Sequence, residues 1–209
     1  MATSTPRVPR RAYGGISADE RIAARRAKLL DAGLELFGTR GFASTGVKDV
    51  CREAGVTDRY FYESFNDGGA LFLAVFDRLT EELFSAVAEA VVESGEDPER
   101  QLRDAIGTFV HALADDPRKQ RVLFAESAAA GPGAAAHMRM SLRRFADLVA
   151  ATARRHVPAR THDDDVRLIA LSLVGLLERA ITDREDGELD VPVDRLVDRT
   201  VALYLKLLR

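Results

Sequence analysis

Between Val47 and Phe65 the chain reads VKDVCREAGVTDRYFYESF, and this segment restricts the fold more than any other. Val47, Val50, Cys51 and Ala54 recur at helical spacing. Gly55 then stops the helix, because glycine enters the left-handed conformation of a helix end without strain. Thr45 is placed to cap this helix and Thr57 to cap the next. Val56 precedes the second cap and Phe61 occupies the fourth helical position, which is hydrophobic-staple spacing. Residues 45–65 therefore predict helix, short glycine-containing turn, helix, the sequence form of a helix-turn-helix.

A longer helix is predicted upstream. Ser17 is a candidate N-cap, with Asp19 and Glu20 suited to the first turn. Leu29, Ala32, Gly33, Leu36 and Phe37 form one apolar stripe, and the helix is expected to stop at Gly38 or Gly41. Residues 1–17 read as a flexible basic tail: three arginines, two prolines and a Gly-Gly pair without periodicity. Arg7, Arg10 and Arg11 suit either a basic arm entering a minor groove or a solubilising tail.

From about Ala70 the pattern changes to longer helices, the first with Phe72, Phe76, Leu79, Leu83, Val87 and Ala90 on one face. Further helices are expected over 99–114, 118–129, 134–156, 163–183 and 192–208, punctuated by Pro117, Gly131-Pro132-Gly133, Pro158, Gly187 and Pro192. The fold class is all-α, with an N-terminal three-helix helix-turn-helix domain over 18–66 and a larger helical bundle over 67–209. Ala, Leu, Arg and Glu dominate and Trp is absent, which agrees with helix throughout.

Charge is divided unevenly. Residues 1–66 hold 11 Lys and Arg against 8 Asp and Glu, a net +3; residues 67–209 hold 19 against 25, a net −6. Only the N-terminal end is suited to a polyanion. The single cysteine, Cys51, allows no internal disulfide. The N-terminus lacks the apolar run of a signal peptide, and no stretch reaches the roughly 20 apolar residues of a membrane span. A cytoplasmic protein with no membrane association is expected.

With Phe61 toward the core and about 100° per residue, Phe65 and Ser64 also turn inward, while Arg59 and Glu63 lie about 160° away. Tyr60 and Tyr62 flank that outer face. Arg can donate bidentately to guanine, Glu can accept from cytosine, and tyrosines can reach phosphates or thymine methyls. A solvated helix carrying an incidental Arg59–Glu63 pair is the plainer alternative.

Over residues 26–72 the chain resembles the DNA-binding domain of TetR-family transcriptional regulators. The resemblance rests on LLDAGLELF, the GF that follows, STGVKDVCREAGV, Phe61-Tyr62 and Phe65. It implies a homodimeric repressor whose C-terminal domain binds a small-molecule inducer and whose target is a palindromic double-stranded operator. Carried over by position, Thr45, Lys48, Arg59, Tyr60, Tyr62 and Ser64 would contact DNA, with Tyr62 the phosphate-contacting tyrosine; Glu63 joins the set from its outward position. Where the family usually opens its fourth helix with Lys and an acid, this chain has Gly68-Gly69, which removes one charge-assisted phosphate contact.

In the C-terminal part, Leu168–Leu177 is apolar almost all round, which predicts burial on every side. Leu196, Val197, Thr200, Val201, Tyr204, Leu207 and Leu208 give the last helix a broad stripe. A dimer face containing Leu173, Leu177, Val197, Val201 and Tyr204 is expected; a core helix of a monomer is the alternative. Phe109, His111, Arg121, Phe124, His137 and Phe145 are the candidate ligand-binding residues. His156, His162 and Asp163–Asp165 lack distinctive metal-ligand spacing, so no metal and no cofactor is expected. P-loop, G-x-S-x-G and H-E-x-x-H signatures are missing, so an all-α enzyme is the weaker alternative. A DNA-binding regulator without a small-molecule inducer is the other.

Overall fold

The computed structural model describes residues 17–207. The expectations for the tail, including Arg7, Arg10 and Arg11, and for Leu208 fall outside the described residues. Helix α1 runs Ala18–Arg40. Ser17 and Glu20 cap it reciprocally: Glu20 N–H donates to the Ser17 hydroxyl (3.1 Å), and Ser17 N–H to the Glu20 carboxylate (2.6 Å). Those bonds hold the Glu20 carboxyl below its ordinary pKa. All five stripe residues of α1 are buried. The helix passes through Gly38 and ends at Gly41, whose φ of 88° favours glycine.

Helices α2 (Val47–Ala54) and α3 (Asp58–Ser64) complete the helix-turn-helix, with Gly55 at φ 64° between them. Gly46, not Thr45, is the N-cap of α2. The Asp49 carboxylate accepts from Gly46 N–H (3.1 Å), while the Thr45 hydroxyl donates backwards to the Gly41 carbonyl (2.8 Å). Thr57 takes the N-cap position of α3 without a side-chain bond. Phe61 and Phe65 anchor α3 in the core, and Val56 packs at its edge.

Helix α4 (Gly68–Glu93) starts at the Gly-Gly pair, where Asp67 accepts from Ala70 N–H at 2.7 Å. That cap replaces the weak propensity of two glycines with a fixed start. Its buried face ends at Val91, not at Ala90. There follow α5 (Pro98–Ala114), α6 (Pro117–Gln120), one wider π-helical turn (Arg121–Ala125) and α7 (Glu126–Ala129). The bundle closes with α8 (Pro132–Arg154), α9 (Asp163–Glu185) and α10 (Val193–Leu207). Among the described residues there is no strand, and no helix is long and apolar enough to cross a membrane.

Polar contacts join α1 to the bundle. Arg118 reaches Glu35 (2.6 Å) and Asp116 (2.8 Å). Arg121 donates to the Thr39 carbonyl (3.0 Å). Glu126 accepts from Phe42 N–H (2.8 Å) and from Arg121 Nε (3.1 Å), so one carboxylate links the end of α1 to both flanks of the π turn.

Candidate nucleic-acid interface and ligand cavity

Seven residues make α3, too few to be stable alone, so packing has to hold it. Phe61 is fully buried and lies edge-on to Tyr62 at 5.3 Å between centroids. With that face fixed, Arg59, Tyr60, Tyr62 and Glu63 are exposed, Arg59 the most at 84% of its side chain. Arg59 Nε donates to Glu63 Oε1 at 3.2 Å. Arg25 of α1 supports the same surface: its guanidinium lies 4.2 Å above the Tyr60 ring and 4.0 Å from Glu63 Oε2. Sequence periodicity did not disclose Arg25, because its partners come from another helix.

Lys48 is exposed on α2, free for a phosphate. Thr45 is half-buried, and its hydroxyl proton is committed to Gly41. Ser64 is half-buried too and belongs to the inner side of α3. The arrangement presents a short helix with a guanidinium, a carboxylate and two phenols outward and a lysine nearby, which matches the donor and acceptor pattern of a major groove.

Residues 29–75 match the family model described as bacterial regulatory proteins, tetR family. The chain is also 28% identical over 176 residues to the HTH-type transcriptional activator FasR of Mycolicibacterium smegmatis, covering 83% of this chain and 79% of that one. Residues 29–75 thus carry a DNA-binding domain of the tetR type. Solved structures share the fold of the chain. A TetR-like regulator from Rhodococcus sp. RHA1 has a TM-score of 0.71 at 24% identity, covering 96% of this chain and 97% of that one. The regulator FadR of Bacillus subtilis, solved in complex with stearoyl-CoA, has a TM-score of 0.76 at 15% identity, covering 88% and 99%.

The C-terminal bundle holds a partly open cavity of about 70 Å³. Its walls come from α4, α5, α8, α9 and α10, with Val87, Ile106, Leu148, Ile169 and Val174 among them. Of the six expected ligand residues, only Phe109 and Phe145 line it. Their rings meet edge-on at 5.4 Å, and they also border a smaller space of about 20 Å³, to which Phe124 contributes. The other three do different work. His111 lies on the surface 3.3 Å from Asp194, Arg121 belongs to the joint with α1, and His137 bonds Asp77 at 2.8 Å. Gln101, Thr152 and His156 line the cavity unannounced by any motif, since residues on separate helices leave no common spacing.

The expected dimer residues lie inside the protomer. Leu173, Leu177, Val197, Val201 and Tyr204 are buried inside one protomer, and Leu173, Leu177 and Tyr204 line the cavity. The exposed apolar residues of these helices are Leu168 (64%), Leu171 (41%), Leu203 (46%) and Leu207 (50%). Thus Leu168–Leu177 is not buried all round within the protomer. His162 stands at the N-cap position of α9, Arg154 reaches Asp163 at 2.5 Å, and His156 bonds Gln101.

Proposed function

We propose that the protein is a homodimeric, ligand-responsive repressor that leaves a two-fold operator when a lipophilic molecule fills the cavity. The reading rests above all on one combination: an outward Arg59–Glu63 surface on the same chain as an almost wholly apolar cavity. A two-fold operator needs two reading helices, hence two chains. The Ser172 hydroxyl lies 3.1 Å from that of Tyr204, so α9 and α10 touch there; the exposed leucines flank this contact and would be covered by a second copy. We take 18–66 as the reading domain and 67–209 as the part that binds effector and partner, a division in which the protein acts by binding and not by catalysis.

The cavity has a physical route to the reading helix. Phe109 and Phe145 separate it from the smaller space, which is walled by Leu123 and Phe124 of the π turn. Arg121 and Glu126, at the two ends of that turn, hold Thr39 and Phe42 at the end of α1. An effector preferring a dimer with a shifted π turn would lower the population able to span both half-sites.

The test is to select operators from randomised DNA, then titrate the labelled complex with fatty acids, their coenzyme A thioesters and fatty alcohols. Release of DNA by one of these classes supports the reading; a complex indifferent to all of them, with no binding to the free protein, overturns the effector half. The resemblance to an activator from Mycolicibacterium smegmatis favours a second reading, in which the ligand-sensitive contact recruits transcription. A reporter carrying the selected operator separates the two: deleting the regulator raises expression for a repressor and lowers it for an activator.

A further inference from the structure

We infer that the cavity seats its ligand by one uncharged hydrogen-bonding group, a hydroxyl or an ester-type carbonyl, placed on Gln101 and His156. This rests on reading the cavity as the effector site. Asp, Glu, Lys and Arg do not occur among its lining residues, so a carboxylate or phosphate inside would be desolvated without a counter-charge. An aliphatic body meets apolar wall nearly everywhere.

The exception is one end. Gln101 is only 3% exposed, and its amide is fixed from both sides. Its nitrogen donates to the Gly95 carbonyl, so its oxygen faces His156 Nε2, at 2.8 Å. An amide oxygen only accepts, so Nε2 carries the proton, and in the Nε2–H tautomer Nδ1 is an acceptor. The amide retains a second N–H as a donor. Gln101 and His156 together thus offer one donor and one acceptor held in place before any ligand arrives. Thr152, one helical turn before His156, adds a hydroxyl to the same lining.

The other polar group of the lining, the Tyr204 phenol, is already engaged by Ser172. Phe109 lies eight residues beyond Gln101 on α5, about 12 Å along the axis. A head group at Gln101 and His156 therefore directs the chain of the ligand toward the Phe109–Phe145 rings. The bound species is a single-headed, uncharged amphiphile lying along α5.

The experiment follows binding of diphenylhexatriene, a hydrocarbon fluorophore, and its displacement by dodecanol, methyl dodecanoate and dodecanoate at mildly alkaline pH. The two neutral compounds are expected to bind at least about tenfold more tightly than the carboxylate. His156→Phe and Gln101→Leu should each weaken dodecanol by about tenfold, the scale of one net hydrogen bond, while diphenylhexatriene binding is kept. Gln101→Leu also removes the partner of Gly95; His156→Phe leaves that bond in place, so it carries the test if the first variant fails to fold. Equal binding of dodecanoate and dodecanol, or variants that hold the fluorophore and bind dodecanol undiminished, would overturn the inference. If wild type takes up the fluorophore but none of the dodecyl compounds, the head-group assignment falls and the lipophilic cavity stands. If it takes up nothing, both fall.

Discussion

Replacing Gly38 by alanine tests the close approach between α1 and the bundle. In an ordinary helix interior the change should stabilise by about 1 kcal/mol, because glycine gives up more backbone freedom on folding. Here a Cβ would stand 2.4 Å from Arg118 Cβ, 2.8 Å from its Cα and 3.0 Å from its carbonyl oxygen. Two of these atoms belong to the backbone, so no rotamer change relieves the clash. Helix α6 must retreat, and its Arg118 contact with Glu35 stretches. That pair is about two-fifths exposed on each side, so its loss adds less than about 1 kcal/mol. Overpacking of this kind costs about 1–3 kcal/mol, which outweighs the gain in propensity and leaves a net loss of about 1–2 kcal/mol. Gly107 of α5 is the matched control, since its Cβ would meet nothing within 4 Å. Gly107→Ala should stabilise by about 0.5–1 kcal/mol. Urea unfolding of both variants, with midpoint and slope compared, measures the contrast. A Gly38→Ala midpoint that rises as the control does would refute the packing of α6 on α1.

Four further outcomes are expected. Lys48→Ala should weaken operator and random DNA alike and reduce the salt slope by about one counterion, read by anisotropy at several ionic strengths; loss confined to one operator base would contradict a phosphate role. Arg59→Ala should cost about 1–3 kcal/mol and relax one symmetric pair of operator positions, and if Glu63 acts only by orienting Arg59, Glu63→Ala should add almost nothing in that background, as a double-mutant cycle on selected operators would show. Leu171→Glu should yield a folded monomer in sedimentation because Leu171 is exposed in the protomer, whereas Leu173→Glu should unfold the chain by burying an unpaired charge; a dimer that survives Leu171→Glu together with Leu168→Glu would place the interface elsewhere. The Cys51 thiol, pushed up to about 11 by burial and by the neighbouring Asp58, should stay protonated and resist iodoacetamide near pH 8 until urea unfolds the protein, which mass spectrometry can follow.

The helix-turn-helix was legible because its determinants are local. Val50, Cys51, Gly55, Phe61 and Phe65 each act within a few residues of their own position, and a 100° projection places Arg59 and Glu63 outward without knowledge of the rest of the chain. Even there, locality had a limit. Thr45 and Gly46 both suit an N-cap, and the choice went to Gly46 because the Thr45 hydroxyl has a partner at Gly41 that only the bend after α1 brings near. In the bundle the difficulty is of another kind. A stripe such as Leu173, Leu177, Val197, Val201 and Tyr204 reports that something apolar covers it, but a neighbour in the same chain and a second chain leave the same pattern. The protomer buries those five itself, and the apolar residues it leaves exposed on these helices are Leu168, Leu171, Leu203 and Leu207, of which Leu203 lies off the stripe read from the sequence. The cavity is harder still, because it is bounded by residues from five helices and defined by volume that no side chain fills. Its one polar end depends on Gln101 of α5 meeting His156 in the turn after α8, across 55 positions of sequence, a pairing that neither segment encodes alone. Recognition of DNA is thus written along the chain, whereas the shape and polarity of the cavity arise only when the long helices are assembled. A change of effector therefore requires no change in the segment from Val47 to Phe65, and a change of operator requires none in the residues that line the cavity.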